Sequence, residues 1–184
     1  QQLMGEVTKL YVEHGFITTR AYLPEQDLRS GTLRVLVQEG RIEKIEVRGD
    51  DAGRINAGLA LPVREGDLLN IRDLEQAVDQ INSVRGNKVK LDLVPGSKPG
   101  QTIVVFNNTA SSPIGVLVSA DNSGWKSTGR NAVSASLTAG GLLGLNETIG
   151  LTARRTVPHT PEKSADSASA YFRLPLGYST VGLN

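Results

Sequence analysis

The chain has 184 residues, with 20 Lys and Arg against 19 Asp and Glu and a formal net charge of +1, so its total charge supplies no strong field for nucleic acid or anionic lipid. It has no cysteine, which excludes a disulfide framework, Cys-ligated zinc and thiol catalysis. Neither a run of ~18 apolar residues nor a basic-then-apolar start of the signal-peptide kind is present, so a membrane role is expected only through strands or a surface helix.

Residues 1–13 place Leu3, Val7, Leu10 and Tyr11 on one helical face, and His14 with Gly15 supplies a stop. Residues 17–23 read as a strand, 24–31 as a turn and 32–38 as a second strand, in which Leu33, Val35 and Val37 alternate against Arg34 and Gln38. Glu39 and Gly40 close this helix, strand, strand unit. Another strand opens at 41–48 with Ile45 and Val47 on one face and Ile42 out of step, and the polar, glycine-bearing stretch 49–53 ends it. Residues 54–61 predict a short helix, stopped by Pro62 and a turn at 64–67. Asn70 is an N-cap with Asp73 three residues on, and Ile71, Leu74, Val78, Ile81 and Val84 form an apolar stripe that runs to Gly86. Residues 88–94 alternate strictly, Val89, Leu91 and Leu93 against Lys88, Lys90 and Asp92; 95–100 turn, and 101–107 form a last strand. The order is strand, helix, helix, strand, strand. Beside this complete unit, residues 1–38 look like the closing elements of an earlier copy, a structural rather than literal repeat, and the chain is expected to start inside a domain.

Beyond Ser112 only strands are predicted, at 114–121, 131–140, 147–157 and 168–179, lengths near the ~9–11 residues of a tilted membrane strand. Ile114, Val116, Val118 and Ala120 oppose Gly115, Leu117, Ser119 and Asp121; Val133, Ala135, Leu137 and Ala139 oppose Ser134, Ser136 and Thr138. Ile149, Leu151, Ala153 and Val157 oppose Thr148, Gly150, Thr152, Arg154 and Thr156; Ala170, Phe172, Leu174, Leu176 and Tyr178 oppose Tyr171, Arg173, Pro175 and Gly177. One apolar face and one small, polar face suit a wall between lipid and a wet lumen as well as they suit a soluble sheet. Arg155 interrupts the apolar face near its end, and 158–166 is a longer polar loop. About four strands cannot close a barrel, for which about eight is the small end, so the sheet is expected to continue elsewhere or stop as a fragment.

Several stretches carry a family resemblance: GFITTRAYLPEQDLRSGTLRVLVQEGRIEKIEV at 15–47, LLNIRDLEQAVDQIN at 68–82, VKLDLVPGSKPGQTIVV at 89–105, DNSGWKSTG at 121–129 and GLLGLNETIGL at 141–151. In order and over nearly the whole chain, they resemble the outer-membrane transporters of two-partner secretion, of the haemolysin-secretion and contact-dependent-inhibition type. The resemblance implies an α+β fold of POTRA domains (β-α-α-β-β), followed by antiparallel strands of a transmembrane β-barrel that is incomplete here. Residues 1–39 would end a first POTRA domain, 40–110 form a second, and 112–184 supply the first barrel strands. Glu147 stands where an aspartate is expected in the LGLND-like stretch.

The implied function is non-enzymatic export: periplasmic POTRA domains bind an unfolded secreted exoprotein, and the barrel, set in outer-membrane lipid, passes it outward. The rival reading is a soluble α+β binding module fused to an all-β sandwich, in which apolar faces meet each other. The resemblance also places the strand after the second helix at a sheet edge, here Lys88, Val89, Lys90, Leu91, Asp92 and Leu93, with 17–23 its counterpart in the incomplete unit. An extended cargo segment is expected to pair with that backbone, and an edge blunted by its lysines against aggregation is the plain alternative. Ile114, Val116, Val118, Ile149, Leu151, Phe172, Leu174, Leu176 and Tyr178 are expected to face the membrane, Phe172 and Tyr178 within an interfacial aromatic belt.

Other motifs read plainly. The stretch 123–129, SGWKSTG, has Trp125 where a phosphate loop needs glycine before its lysine, so it reads as a turn and no nucleotide or nucleic acid is expected. His14 and His159 lie far apart beside turns, and no metal or cofactor is expected. The carboxylates at 50–51 and 65–67 accompany no nucleophile and base, so no catalytic residue is assigned. Asn107 and Asn146 open matches to the glycosylation sequon, which is short enough to arise by chance.

Overall fold

The computed structural model describes residues 2–27, 29, 31–157, 160 and 164–184. Helix α1 (Gln2–Glu13) leads into a two-stranded antiparallel sheet of β1 (Arg20–Tyr22) and β2 (Leu36–Gln38). Both strands are shorter than the alternation at 17–23 and 32–38 predicts. Ile17 and Thr19 donate back to Gly15 and Phe16 in successive turns. Further on, the Gln26 side chain accepts from the Arg34 N–H at 2.7 Å and donates to the Arg34 carbonyl at 2.8 Å, occupying both groups that a neighbouring strand would need.

The second unit runs β3 (Arg41–Gly49), a 3-10 turn (Ala52–Arg54), α2 (Ala57–Ala60), α3 (Ile71–Asn82), β4 (Val89–Pro95) and β5 (Gln101–Asn108). Its sheet has the order β3-β5-β4, with β3 parallel and β4 antiparallel to the central strand. The helix expected over 54–61 is split, because Asn56 adopts an extended backbone and caps α2 by accepting from the Leu59 N–H at 3.1 Å. Asn70 caps α3 through the Arg72 N–H at 3.0 Å, and Leu74, Ala77 and Ile81 turn into the core. There they meet Ile42, Leu69, Val104 and Phe106. Ile42 is out of step in sequence because the β3–β5 register slips between Ile42 and Lys44; that bulge turns it inward beside Ile45 and Val47, leaving it 1% exposed. The first unit is tied to the second, since Ile17 packs on this core and the Ile71 and Leu69 N–H groups donate to Gly15 and Gly40.

The third sheet is antiparallel throughout, in the order β10-β9-β8-β7-β6: β6 (Ile114–Asp121), β7 (Ala132–Gly140), β8 (Thr148–Thr156), β9 (Asp166–Leu176) and β10 (Ser179–Leu183). It has five strands rather than about four, because the alternation expected over 168–179 is cut by a turn at Gly177, whose φ is 54°, and Tyr178. The register aligns Ile114, Ala139, Ile149, Phe172 and Leu183 in one row and Val116, Leu137, Leu151 and Ala170 in the next. Directly opposed residues share a face, so the apolar face is continuous across the sheet. Val116, Val118 and Leu183 are 70%, 65% and 71% exposed, so among the described residues no second layer covers them as a sandwich would. His159 and much of the expected 158–166 loop lie outside the described residues.

Candidate functional site

The second sheet has two edges, and the first part of one is covered. On the β3 side, Ile42 exchanges hydrogen bonds with the passing segment at Gly66 and Asp67, and the Glu65 carboxylate accepts from the Ile45 N–H at 3.0 Å. Outward from that strand, Lys44 and Arg48 both grip Glu46, and these hydrogen bonds, Lys44 first, hold its carboxyl below the usual range while raising the Lys44 amine. Strand β4 forms the other edge.

In an antiparallel pair alternate residues aim both backbone groups at the partner strand and the rest aim them away. The Thr109 N–H donates to the Lys88 carbonyl and the Gly96 N–H to the Gln101 carbonyl, which fixes the phase. Lys88, Lys90, Asp92 and Val94 face β5, whereas Val89, Leu91, Leu93 and Pro95 face the open side. Val89 is already occupied: its N–H donates to Asn82 Oδ1 at 2.6 Å and its carbonyl accepts from Asn82 Nδ2 at 3.1 Å. Pro95 has no N–H to offer. The open slot is thus the backbone of Leu91 and Leu93, framed by the Asn82 clamp and a proline. Their side chains pack with Val89 toward the core, while Lys90 and Asp92 are exposed and Asp92 accepts from the Asn107 side chain. Lys88 precedes the strand, with its N–H on Asn108 Oδ1 at 3.0 Å.

In the five-stranded sheet Ile114, Val116, Val118, Ile149, Leu151, Phe172, Leu174 and Leu176 fall on one face by register. Arg155 interrupts that face opposite Asp166, and the two form a paired bridge at 2.9 and 3.1 Å. The reverse face is small and hydrogen-bonded across strands: Ser119 with Ser134 at 2.8 Å, Ser136 with Thr152 at 3.1 Å, and Arg154 forked onto Asp121 at 2.6 and 2.8 Å. Tyr178 does not join the apolar face as expected. It sits in the β9–β10 turn, where its hydroxyl donates to Asp73 on the first turn of α3.

That contact belongs to a junction that sequence reasoning missed. Asn146, buried and left-handed at φ 59°, accepts from the Asn56 N–H at 2.9 Å and donates to the Asn56 carbonyl at 2.7 Å. Glu147, also fully buried, accepts from the Leu143 and Leu145 N–H groups and so shapes the β7–β8 turn that presents Asn146. The Gly177 N–H reaches the Leu59 carbonyl at 2.8 Å. Gly140 lets the backbones touch, since a Cβ there would stand 2.6 Å from the Arg85 carbonyl oxygen. Buried Asn146 cannot carry a glycan, which disposes of that sequon; the signal that could have found the clamp was a buried polar pair, Asn-Glu, after the apolar run LLGL.

Three family profiles tile the chain in order: a POTRA domain of the ShlB type over residues 1–40, a POTRA domain over 41–95, and the haemolysin secretion/activation protein ShlB/FhaC/HecB over 100–184. The outer membrane transporter CdiB of Dickeya dadantii (strain 3937) is 37% identical over 98% of this chain and 32% of its own length. The chain belongs to the two-partner secretion transporter family of haemolysin secretion/activation proteins. Another two-partner secretion relative, the hemolysin transporter protein ShlB of Serratia marcescens, is 34% identical over 97% of this chain and 31% of its own length. The solved structure of CdiB from Escherichia coli superposes with a TM-score of 0.90 at 34% identity, covering 98% of this chain and 34% of that one. The chain thus spans about a third of the length of the two-partner secretion relatives it matches. The open β4 edge falls in the part matched by the second POTRA profile, and the five-stranded sheet in the part matched by the ShlB profile.

Proposed function

We propose that this chain is the junction of an outer-membrane protein exporter, in which periplasmic POTRA units receive an unfolded secreted protein and a β-barrel releases it outside. Residues 1–39 close a first POTRA unit, 40–110 form the second, and 112–184 begin the barrel. The observation that carries this reading is the apolar face that runs across all five strands, broken near one end by the Arg155–Asp166 pair and backed by a face rich in Ser, Thr and Gly. Strands can cross lipid only when every backbone group is paired, so the free edges of β6 and β10 call for barrel partners. Relatives named for haemolysin and contact-dependent-inhibition transport point to a large secreted exoprotein as cargo. No cofactor, nucleotide or nucleic acid takes part, and export is physical rather than enzymatic.

Cargo capture uses the Leu91 and Leu93 slot. An extended peptide there would add a strand through main-chain hydrogen bonds and depend little on its sequence, which suits an unfolded client. The test is to purify the full-length protein, titrate it with a peptide from its secreted partner and follow amide signals in the second unit. Shifts confined to Leu91, Leu93 and their neighbours are expected. A full-length protein that is monodisperse in water without detergent would sink the export reading, whatever the peptide did.

A further inference from the structure

Between the C-terminal end of α3 and the polar face of the wall lies a cavity of about 390 Å³, bordered by Arg85 on one side and by Thr138, Thr148, Tyr171 and Arg173 on the other. No acid lines it, and neither arginine has a salt bridge among the described residues. The same sheet treats its other arginines differently, matching Arg154 with Asp121 on the polar face and Arg155 with Asp166 on the apolar one. Arg173 and Arg85 are instead held flat. The Arg173 guanidinium stands 5.0 Å from the Tyr171 ring centroid, a cation–π contact that orients the group while leaving its N–H donors free to bind. Arg85 lies across Gly115 of β6, where any Cβ would come within 2.4 Å of its Cζ, so the glycine is what lets the guanidinium rest against the wall.

Resting on the export reading, we propose that this cavity is a docking site for the carboxylate side chains of an acidic stretch of the exported polypeptide. Arg85 and Arg173 offer planar forks of donors that match a carboxylate, and the cavity joins the unit bearing the open β4 edge to the polar face along which cargo would leave. The threonines around it supply hydroxyls for the peptide backbone.

The experiment uses the full-length transporter in nanodiscs with two fluorescent probes, a short Glu-rich peptide and its Gln isostere, read by anisotropy at low and high salt. Wild type is expected to prefer the Glu peptide, with the preference falling as salt rises. Arg85→Gln and Arg173→Gln should each weaken the Glu peptide by about tenfold and leave the Gln peptide unchanged, because a hydrogen bond to a charged group is lost. Arg173→Lys, which keeps the charge but not the planar fork, should recover only part of the preference, and a melting temperature unchanged in the Gln variants distinguishes a lost site from a folding defect. Equal binding of both peptides by wild type overturns the proposal, as does unchanged discrimination in both Gln variants. An acid from elsewhere in the same full-length chain filling the cavity also overturns it, and would show as a lowered melting temperature in the Gln variants with no Glu-peptide preference in wild type. If Leu91 and Leu93 respond to cargo peptide while the Glu preference is missing, only this site falls; if neither responds, the cargo-capture reading falls with it.

Discussion

At the scale of single residues, three amide side chains in this molecule stand in for strand backbone. Gln26 pairs with both backbone groups of Arg34, Asn82 with those of Val89 and Asn146 with those of Asn56. Each offers one acceptor and one donor at the spacing of a peptide unit, so it satisfies a backbone that has no neighbouring strand. The Asn146 clamp joins residues 90 positions apart, and nothing in the local alternation could have announced it. What the sequence showed at 146–148 was only a sequon match and a glutamate in an unusual place. Asn146→Ala would leave the Asn56 N–H unpaired at a part-buried junction, at about 1–3 kcal/mol if water cannot reach it, and would leave the Asn56 carbonyl with only its longer bonds from the Leu59 and Ala60 N–H groups at 3.3 Å. The full-length variant should therefore melt several degrees lower, with Asn146→Asp no better, because a carboxylate accepts from the N–H but repels the carbonyl. If Asn146→Ala melted with wild type, the clamp would carry no weight in holding the two units together.

At the scale of elements, strong periodicity was legible and its interruptions were not. The stripe of α3 and the alternation of β4 and β6 can be read by eye, because their apolar residues repeat at the helix or strand period. Ile42 hid behind a bulge, and the β9–β10 turn hid because alternation runs through Pro175 and Gly177 without a break in type. In residues 17–23 and 32–38 the pattern promised longer strands than form, since Gln26 and the turns after Gly15 claim those backbone groups first. The β4 edge shows how phase matters as well as placement. Its side chains face as alternation says, but which amides are open depends on pairing with β5. Hydrogen exchange should therefore be fast at Leu91 and Leu93, slow at Lys90, Asp92 and Val94, and slow at Val89 until Asn82→Ala removes its partner. It follows that Lys90→Pro would break a ladder bond to β5 and loosen the sheet, rather than close the slot. Uniform protection along β4 would mean that this edge is not open.

At the scale of the whole molecule, the division of character at about residue 112 separates two ways of burying apolar surface. The second α+β unit folds its stripe inward, where Leu69, Leu74, Ile81, Val104 and Phe106 are fully buried. The wall does the reverse: Ile114, Val116, Val118, Leu151, Val181 and Leu183 all lie outward and exposed, while on its other face Ser119 pairs with Ser134, Ser136 with Thr152 and Arg154 with Asp121. This contrast was legible because a two-residue period with one apolar and one small polar face persists over successive strands; the two faces could not be assigned to lipid or to a partner sheet until the absence of a covering layer among the described residues was seen. Residues 1–110 should therefore stay soluble and monomeric when expressed without the rest. Residues 112–184 should not, because the free edges of β6 and β10 invite pairing with other copies and the apolar face has no cover in water. In sedimentation without detergent the wall fragment is expected to pellet, and with micelles to remain in solution with protected amides along β7 and β8. A wall fragment that stayed monomeric in plain buffer would show that its apolar face closes on itself, and would return the sandwich reading to first place.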